Sequence, residues 1–262
     1  MEKFYEIMAY ILIGIIGLCV GSFLNVVIYR LSEGISLAKP SSHCPNCKYK
    51  LKWYDNIPLL SYCLLGGKCR KCKTHIPFRY TMVELLNMLL WLGCAFIFWE
   101  TSIFLACIYM GAVSVFICVF FIDLEHKIIF DRFQIILAVF GVMSIFCDKY
   151  TQWYSHLIGG AVGFGVFCLV AVVFKKITEK DGLGGGDIKL VGVVGLLLGW
   201  EKLILSLIVA TIPAAIIMAI ASKGKEGEAR EFPFAPFLTF GFTVAMLFGE
   251  QIINLYLKII GI

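Results

Sequence analysis

Long apolar runs separated by short charged segments organise this chain. The runs fall near 7–29, 81–99, 102–122, 133–147, 154–174, 188–200, 202–221 and 234–257. About 20 apolar residues in a helix cross the hydrocarbon core of a bilayer. The pattern therefore predicts about eight transmembrane helices, the fourth and sixth of them short for a span. Apolar residues are continuous within each run rather than alternating, which excludes a transmembrane β-barrel. The expected fold is an all-α polytopic membrane protein. A small cytoplasmic zinc-ribbon-like domain is inserted after the first helix. The boundaries expected are a first helix over 1–29, a cytoplasmic tetracysteine domain over 30–80 and a helical membrane domain over 81–262.

Composition agrees: 60% of residues are hydrophobic and 16% charged, where a soluble domain carries about 25% charge. The net charge of +5 says less than its placement. Arg30, Lys39, Lys48, Lys50, Lys52, Lys68, Arg70, Lys71, Lys73 and Arg79 crowd the first long loop, against Glu33 and Asp55. Basic residues mark cytoplasmic loops, so 30–80 is expected in the cytoplasm. Helix parity puts 123–132, 175–187 and 223–231 on the same side and both termini outside. The N-terminus has no basic region before its apolar run, so it reads as a retained helix rather than a cleaved signal.

Two aspartates share that side. Asp123 ends the third run in Phe-Ile-Asp-Leu-Glu-His, and Asp187 follows the glycine cluster of Gly-Leu-Gly-Gly-Gly-Asp-Ile-Lys-Leu. The short sixth run predicts that the glycine loop 182–186 dips below the headgroups, with Gly184, Gly185 and Gly186 giving conformational freedom and letting another chain approach closely, and Lys189 supporting the turn. An ionisable residue at membrane depth points to function. Two carboxylates about 4 Å apart repel by about 4 kcal/mol at an effective dielectric of 20. One proton is then shared, so one group activates water while the other polarises a carbonyl. The bland alternative for each aspartate is a helix cap.

Eleven cysteines are present, and four form two CxxC pairs, Cys44-Pro-Asn-Cys47 and Cys69-Arg-Lys-Cys72. This spacing is that of a structural zinc site, closed to water by its four ligands. His43 and His75 flank the pairs but are not needed as ligands. A zinc ribbon among lysines can also bind nucleic acid. Topology already accounts for these charges, so no nucleic-acid partner is expected.

Together these elements resemble the type IV prepilin peptidase family, the leader peptidase/N-methyltransferases. The likeness runs through Gly21-Ser-Phe-Leu-Asn-Val-Val-Ile-Tyr-Arg30, the two CxxC pairs with Trp53-Tyr-Asp-Asn-Ile-Pro58 between them, Arg79-Tyr80, Glu84, Phe121-Ile-Asp123-Leu and Gly184-Gly-Gly-Asp187-Ile-Lys-Leu190. Two departures stand out: Phe130 and Thr81 occupy positions where the family has proline. The resemblance implies an aspartic endopeptidase with Asp123 and Asp187 as its catalytic pair, in the bacterial cytoplasmic membrane. Its substrates are prepilin or pseudopilin precursors, cut after Gly at the cytoplasmic face. It further implies N-methylation of the new N-terminus by S-adenosylmethionine. Asp55, Asn56, Arg70, Arg79 and Glu84 are the candidates for that cofactor, each with a surface role as its alternative. An ion-coupled transporter and a non-catalytic pilus or secretion assembly protein are the competing classes. Among residues set aside, His126 and His156 read as bland, and Asn25 as a bond between helices.

Overall fold

A computed structural model describes residues 1–262 except Pro40, Tyr150, Lys180, Asp181, Leu183, 223–231 and Ile262, and gives only the backbone of Glu2, Ala221 and Ser222. The basic loop 223–231 and part of the loop 175–187, including Lys180, thus lie outside the described residues. The helices are α1 (Glu2–Ser32), α2 (Leu60–Leu64), α3 (Arg79–Phe98), α4 (Ile103–His126), α5 (Asp131–Cys147), α6 (Trp153–Thr178), α7 (Gly185–Leu198), α8 (Trp200–Ser222) and α9 (Ala235–Ile260).

Two expectations are corrected. Among the described residues, six helices rather than about eight are long and apolar enough to cross a membrane: α1, α3, α4, α6, α8 and α9. The 17 residues of α5 and the 14 of α7 reach about 25 and 21 Å at 1.5 Å per residue, short of the ~30 Å hydrocarbon core. The second correction is that the cysteine segment is not a zinc ribbon. No β-sheet forms among the described residues; two isolated bridges, His43 to Lys50 and Lys68 to His75, are all the strand pairing there. Each CxxC closes on itself within a few residues, and the chain between the pairs folds as a short 3-10 turn (Trp53–Asn56) and α2. Too little extended chain remains to build a sheet.

The chain divides into two compact units, Met1–Phe96 and Ile97–Ile262. In the first, α1 and α3 approach closely because glycine faces backbone. A Cβ on Gly21 would lie 2.7 Å from Glu84 Cα, and one on Gly17 would lie 3.1 Å from Met88 Cα. Polar side chains bond across this seam: Asn25 Nδ2 donates to the Tyr80 carbonyl at 2.9 Å and Asn87 Nδ2 to the Gly17 carbonyl at 2.7 Å. Small residues and interhelical amides are the usual adhesive where lipid removes the hydrophobic drive.

In the second unit, α4 is buried along most of its length. The short α7 is flanked by α5, α6 and α8, and its Leu190, Val191, Val194, Leu197 and Leu198 are buried. Gly159 and Gly195 bring α6 and α7 into backbone contact, and Gly241 does the same for α9 against Ser206 of α8. In contrast, α6 turns most of its surface outward, as a lipid-facing helix should.

Candidate active site and metal centre

Asp123 lies one turn before the end of α4 and is buried. Its Oδ2 accepts a hydrogen bond of 3.1 Å from the backbone N–H of Ala235, the first residue of α9. That N–H is one of the donors a helix start leaves unpaired, and the next residue, Pro236, has no N–H to offer. A carboxylate from α4 therefore serves as the cap of α9 and meets the positive end of its dipole.

Asp187 sits in the first turn of α7. Its N–H donates to the Gly184 carbonyl at 3.0 Å. Its Oδ1 is buried and accepts no hydrogen bond among the described residues. The two carboxyl groups stand near enough for the charge of Asp123 to act on Asp187. The fold thus brings the two sequence candidates to one end of one helical unit.

Of the two uses expected of the glycines, conformational freedom and close approach, the structure shows the second. Gly185 and Gly186 are already helical, and none of Gly182, Gly184, Gly185 and Gly186 has a positive φ. Closeness is what matters at three of them. A Cβ on Gly182 would run into the Phe174 ring, one on Gly184 would lie 3.1 Å from Asp187 Oδ2, and one on Gly186 would lie 3.0 Å from Ile129 Cβ, while Gly185 meets nothing among the described residues. The buried Gln134 of α5 donates from Nε2 to the Gly186 carbonyl at 3.1 Å. Lys189 pairs with Asp131 at 2.8 Å. Phe130, at a position where proline is the family pattern, caps α5 with φ −74°, a value proline itself would impose. The departure leaves the turn unchanged.

In the first unit, the sulfurs of Cys44, Cys47, Cys69 and Cys72 all lie within 4.8 Å of one another. Two of the separations are 3.8 Å, Cys44 to Cys72, and 3.9 Å, Cys47 to Cys69. Four thiolates about 2.3 Å from a tetrahedral zinc are about 3.8 Å apart, so the cluster fits such an ion. Its two halves repeat the same local fold. Cys44 N–H bonds to Tyr49 O and Lys48 N–H to Cys44 O; Cys69 N–H bonds to Thr74 O and Lys73 N–H to Cys69 O. Lys48 and Lys73 both take φ near +58°, at 57° and 59°, which turns the backbone amides toward the sulfurs. Hydrogen bonding with the hydroxyl and backbone of Thr74 pulls the Cys72 thiol down to about 6. Cys47, against a backbone hydrogen bond from Tyr49 that lowers it, is pushed up to about 11 by desolvation and the other sulfurs, so the four share protons that a bound metal would displace.

Of the five cofactor candidates, Asp55 and Arg70 meet directly, Arg70 Nε donating to Asp55 Oδ1 at 2.8 Å. The other oxygen of Asp55 accepts from Lys52 N–H and Tyr49 OH. Burial raises the Asp55 carboxyl, but these donors and the Arg70 charge outweigh it and leave it below the usual carboxylate range. The Arg70 guanidinium also lies over the Tyr54 ring at 5.1 Å. Asn56 is exposed, Arg79 lies over Tyr80 at 5.5 Å, and the buried Glu84 accepts from Leu59 N–H at 2.9 Å.

Sequence reasoning missed Ala235 and Gln134. Ala235 acts through a backbone N–H that any residue but proline supplies, and Phe-Pro-Phe-Ala-Pro before a long apolar run was the only available sign of a helix start there.

A polytopic helical membrane protein with paired aspartates and a tetracysteine metal-binding segment narrows the class. Sequence comparison completes it. The Bacterial Peptidase A24 N-terminal domain profile matches residues 15–98 and that of the Type IV leader peptidase family matches 110–219. A prepilin leader peptidase/N-methyltransferase of Pseudomonas aeruginosa is 31% identical, with 94% of this chain and 93% of the relative aligned. Proteins of the same description from Neisseria gonorrhoeae and Myxococcus xanthus are 32% and 37% identical. The alignments cover 87% and 83% of this chain, and 86% and 65% of those relatives. No solved structure matches. The chain belongs to the type IV leader peptidase family, a family of peptidases with associated methyltransferase activity.

Proposed function

We propose that this protein removes the basic leader from prepilin or pseudopilin precursors, cutting after Gly at the cytoplasmic face of the membrane with Asp123 and Asp187 as its catalytic pair. The observation that carries the reading is the pairing itself: two carboxyl groups from α4 and α7, Asp123 buried and Asp187 half-buried with its Oδ1 shielded, at one end of one unit and electrostatically in touch. Such a pair holds one proton between two groups. A hydrogen bond accepted from the Ala235 N–H suits the carboxylate, which takes a proton from water as that water attacks the scissile carbonyl. The buried Oδ1 of Asp187, without a donor among the described residues, suits the group that holds the proton and donates it toward the carbonyl oxygen. Asp123 then passes the proton it took from water to the leaving amine as the C–N bond breaks, and the hydroxyl proton of the collapsing intermediate returns to Asp187. Asp123→Asn and Asp187→Asn each should abolish leader cleavage in proteoliposomes while the protein inserts and accumulates normally. Near wild-type cleavage by either variant overturns the assignment.

Orientation is part of the proposal. The basic residues of 30–80, with Lys127, Arg132, Lys175 and Lys176, support a cytoplasmic tetracysteine segment and active site. Zinc would be held by Cys44, Cys47, Cys69 and Cys72. As a closed four-sulfur site it supplies order to the loop rather than chemistry. N-methylation of the new N-terminus by S-adenosylmethionine belongs to the same proposal, supported by the relatives' description. Asp55 and Arg70, engaged with one another, would serve the methyl donor by shaping the segment that receives it, with Asn56, Arg79 and Glu84 nearby in sequence.

A further inference from the structure

A groove of about 630 Å³ opens on the side of α7 turned away from Asp187. Lys189, Gly192, Val193 and Leu196 form its floor and follow one helical stripe at i, i+3, i+4 and i+7. By helical spacing Asp187 lies on the opposite stripe, near the buried Leu190, Val191 and Val194. The walls come from α5 and α6, where Ala138 and Ala161 leave the space open. Their outer rims, Ile135, Leu157 and Phe164, are 64%, 48% and 47% exposed, so the groove looks out to lipid.

Its length and its charges narrow the occupant. From Lys189 to Leu196 the floor runs about 10 Å at 1.5 Å per residue. One leaflet of hydrocarbon is about 15 Å deep and a crossing helix needs about 30 Å. The groove therefore has the depth of part of one acyl chain and is too short to seat a spanning helix. Charge is confined to its mouth, where Lys189 Nζ and Asp131 Oδ1 stand 2.8 Å apart with side chains 52% and 69% exposed. An anionic headgroup would match the lysine and be repelled by the aspartate. A headgroup with both a phosphate and a primary ammonium has an opposite partner for each.

We infer that this groove binds one phospholipid of the phosphoethanolamine class, its acyl chain along α7, its phosphate at Lys189 and its ammonium at Asp131. The site is joined to the aspartate pair from behind. Gln134, in the groove wall, donates to the Gly186 carbonyl, so a filled groove braces the turn that carries Asp187. The inference concerns binding and does not depend on the peptidase reading.

The test uses the full chain reconstituted in equal phosphatidylethanolamine and phosphatidylglycerol, extracted in mild detergent and weighed by native mass spectrometry. Wild type should retain one phospholipid per chain, enriched in the ethanolamine form. Ala161→Trp, which fills the groove, should lose it. Asp131→Asn should keep a lipid but lower the ethanolamine preference by about three- to fivefold, the scale of an exposed charge contact. Because a tryptophan can disturb folding, the Asp131→Asn arm stands independently. No retained phospholipid in wild type, an unchanged preference in Asp131→Asn, or full retention by well-folded Ala161→Trp each overturns the proposal. So does cross-linking of an Ala161→Cys variant to an apolar helix of a precursor in place of lipid.

Discussion

Three consecutive glycines precede Asp187, yet only two of them are sterically obliged to be glycine. Gly184 yields room to the Asp187 carboxylate, and Gly186 lets Ile129 pack against the start of α7. Gly185 has no neighbour within 4 Å of a Cβ and is helical, where alanine is favoured over glycine by about 1 kcal/mol. Gly185→Ala should therefore leave cleavage near wild type and stability unchanged or slightly higher. Gly186→Ala should lower kcat by a few-fold to about tenfold, since its Cβ asks the Ile129 side chain to give by only tenths of an ångström where about 1 Å costs about a hundredfold, with insertion unaffected. Steady-state cleavage of a precursor by the two purified variants checks this; equal loss in both would mean that the glycines serve flexibility after all. The residue types of this turn were legible in the sequence. Which of their two expected purposes applies was not, because conformational freedom and close approach call for the same residue and only the neighbours tell them apart.

At the scale of elements, charge ties four helices together away from the aspartates. Asp148 caps the end of α5, His156 lies in the first turns of α6, Lys202 is in the first turn of α8 and Glu250 lies past the middle of α9. Lys202 Nζ stands 3.0 Å from Glu250 Oε1 and 3.7 Å from Asp148 Oδ2, and His156 Nε2 is 3.9 Å from the same Asp148 oxygen. The Lys202 and Asp148 side chains are almost wholly buried. Removing one partner of a buried charged pair costs about 3–5 kcal/mol, so Lys202→Met should lower the thermal midpoint in detergent clearly while leaving the aspartate end intact. An unchanged midpoint would show that the cluster carries no weight.

The sequence offered little sign of this tie, because Asp148, His156, Lys202 and Glu250 are scattered over more than a hundred residues and look like ordinary boundary polarity. Helix existence was better marked than helix role. The run over 188–200 is as apolar as a span but visibly short, so both α7 and its shortness were legible, while its burial among α5, α6 and α8 was not. The cysteine spacing foretold four sulfurs in one place. It carried no information on whether turns or strands would hold them, since the backbone between the pairs decides that. The same segment makes a pH prediction through Asp55. Its carboxyl lies below its ordinary value in the folded chain, chiefly because the donors around it offset burial. A lowered folded value means stability that is fully present above the unfolded value of about 3.9 and lost as pH falls from there through the lower folded value. The advantage of wild type over Asp55→Asn in protection of 49–56 from hydrogen exchange should be about 1 kcal/mol and steady above about pH 5, then close below about pH 4. A gap that widens on acidification would contradict the sign.

At the scale of the whole molecule, the chain divides its tasks between two compact units with different sources of order. Ile97–Ile262 holds both aspartates and is built on helix packing, with Val113, Leu190, Leu238 and Phe242 fully enclosed. Met1–Phe96 has the α1 and α3 seam, but its segment between those helices has few buried apolar side chains, and Cys44 and Cys69 are among them. Structural zinc contributes about 10–16 kcal/mol of apparent binding energy at neutral pH in small peptides, more than so small an apolar core can replace. Metal removal should then act on one unit alone. Chelation of the purified protein, or Cys44→Ser with Cys47→Ser, should remove about one zinc per chain and open 33–78 to limited proteolysis. The thermal transition of the second unit, followed through a probe at Trp153 or Trp200, should move by no more than a few degrees. Methylation should fail outright in the metal-free protein, and cleavage should fall less, through weaker precursor binding. If the wild type carries no metal and all four thiols react freely, the tetracysteine site has another use. If the second unit melts together with the first, the two are one cooperative structure and the division of labour is wrong.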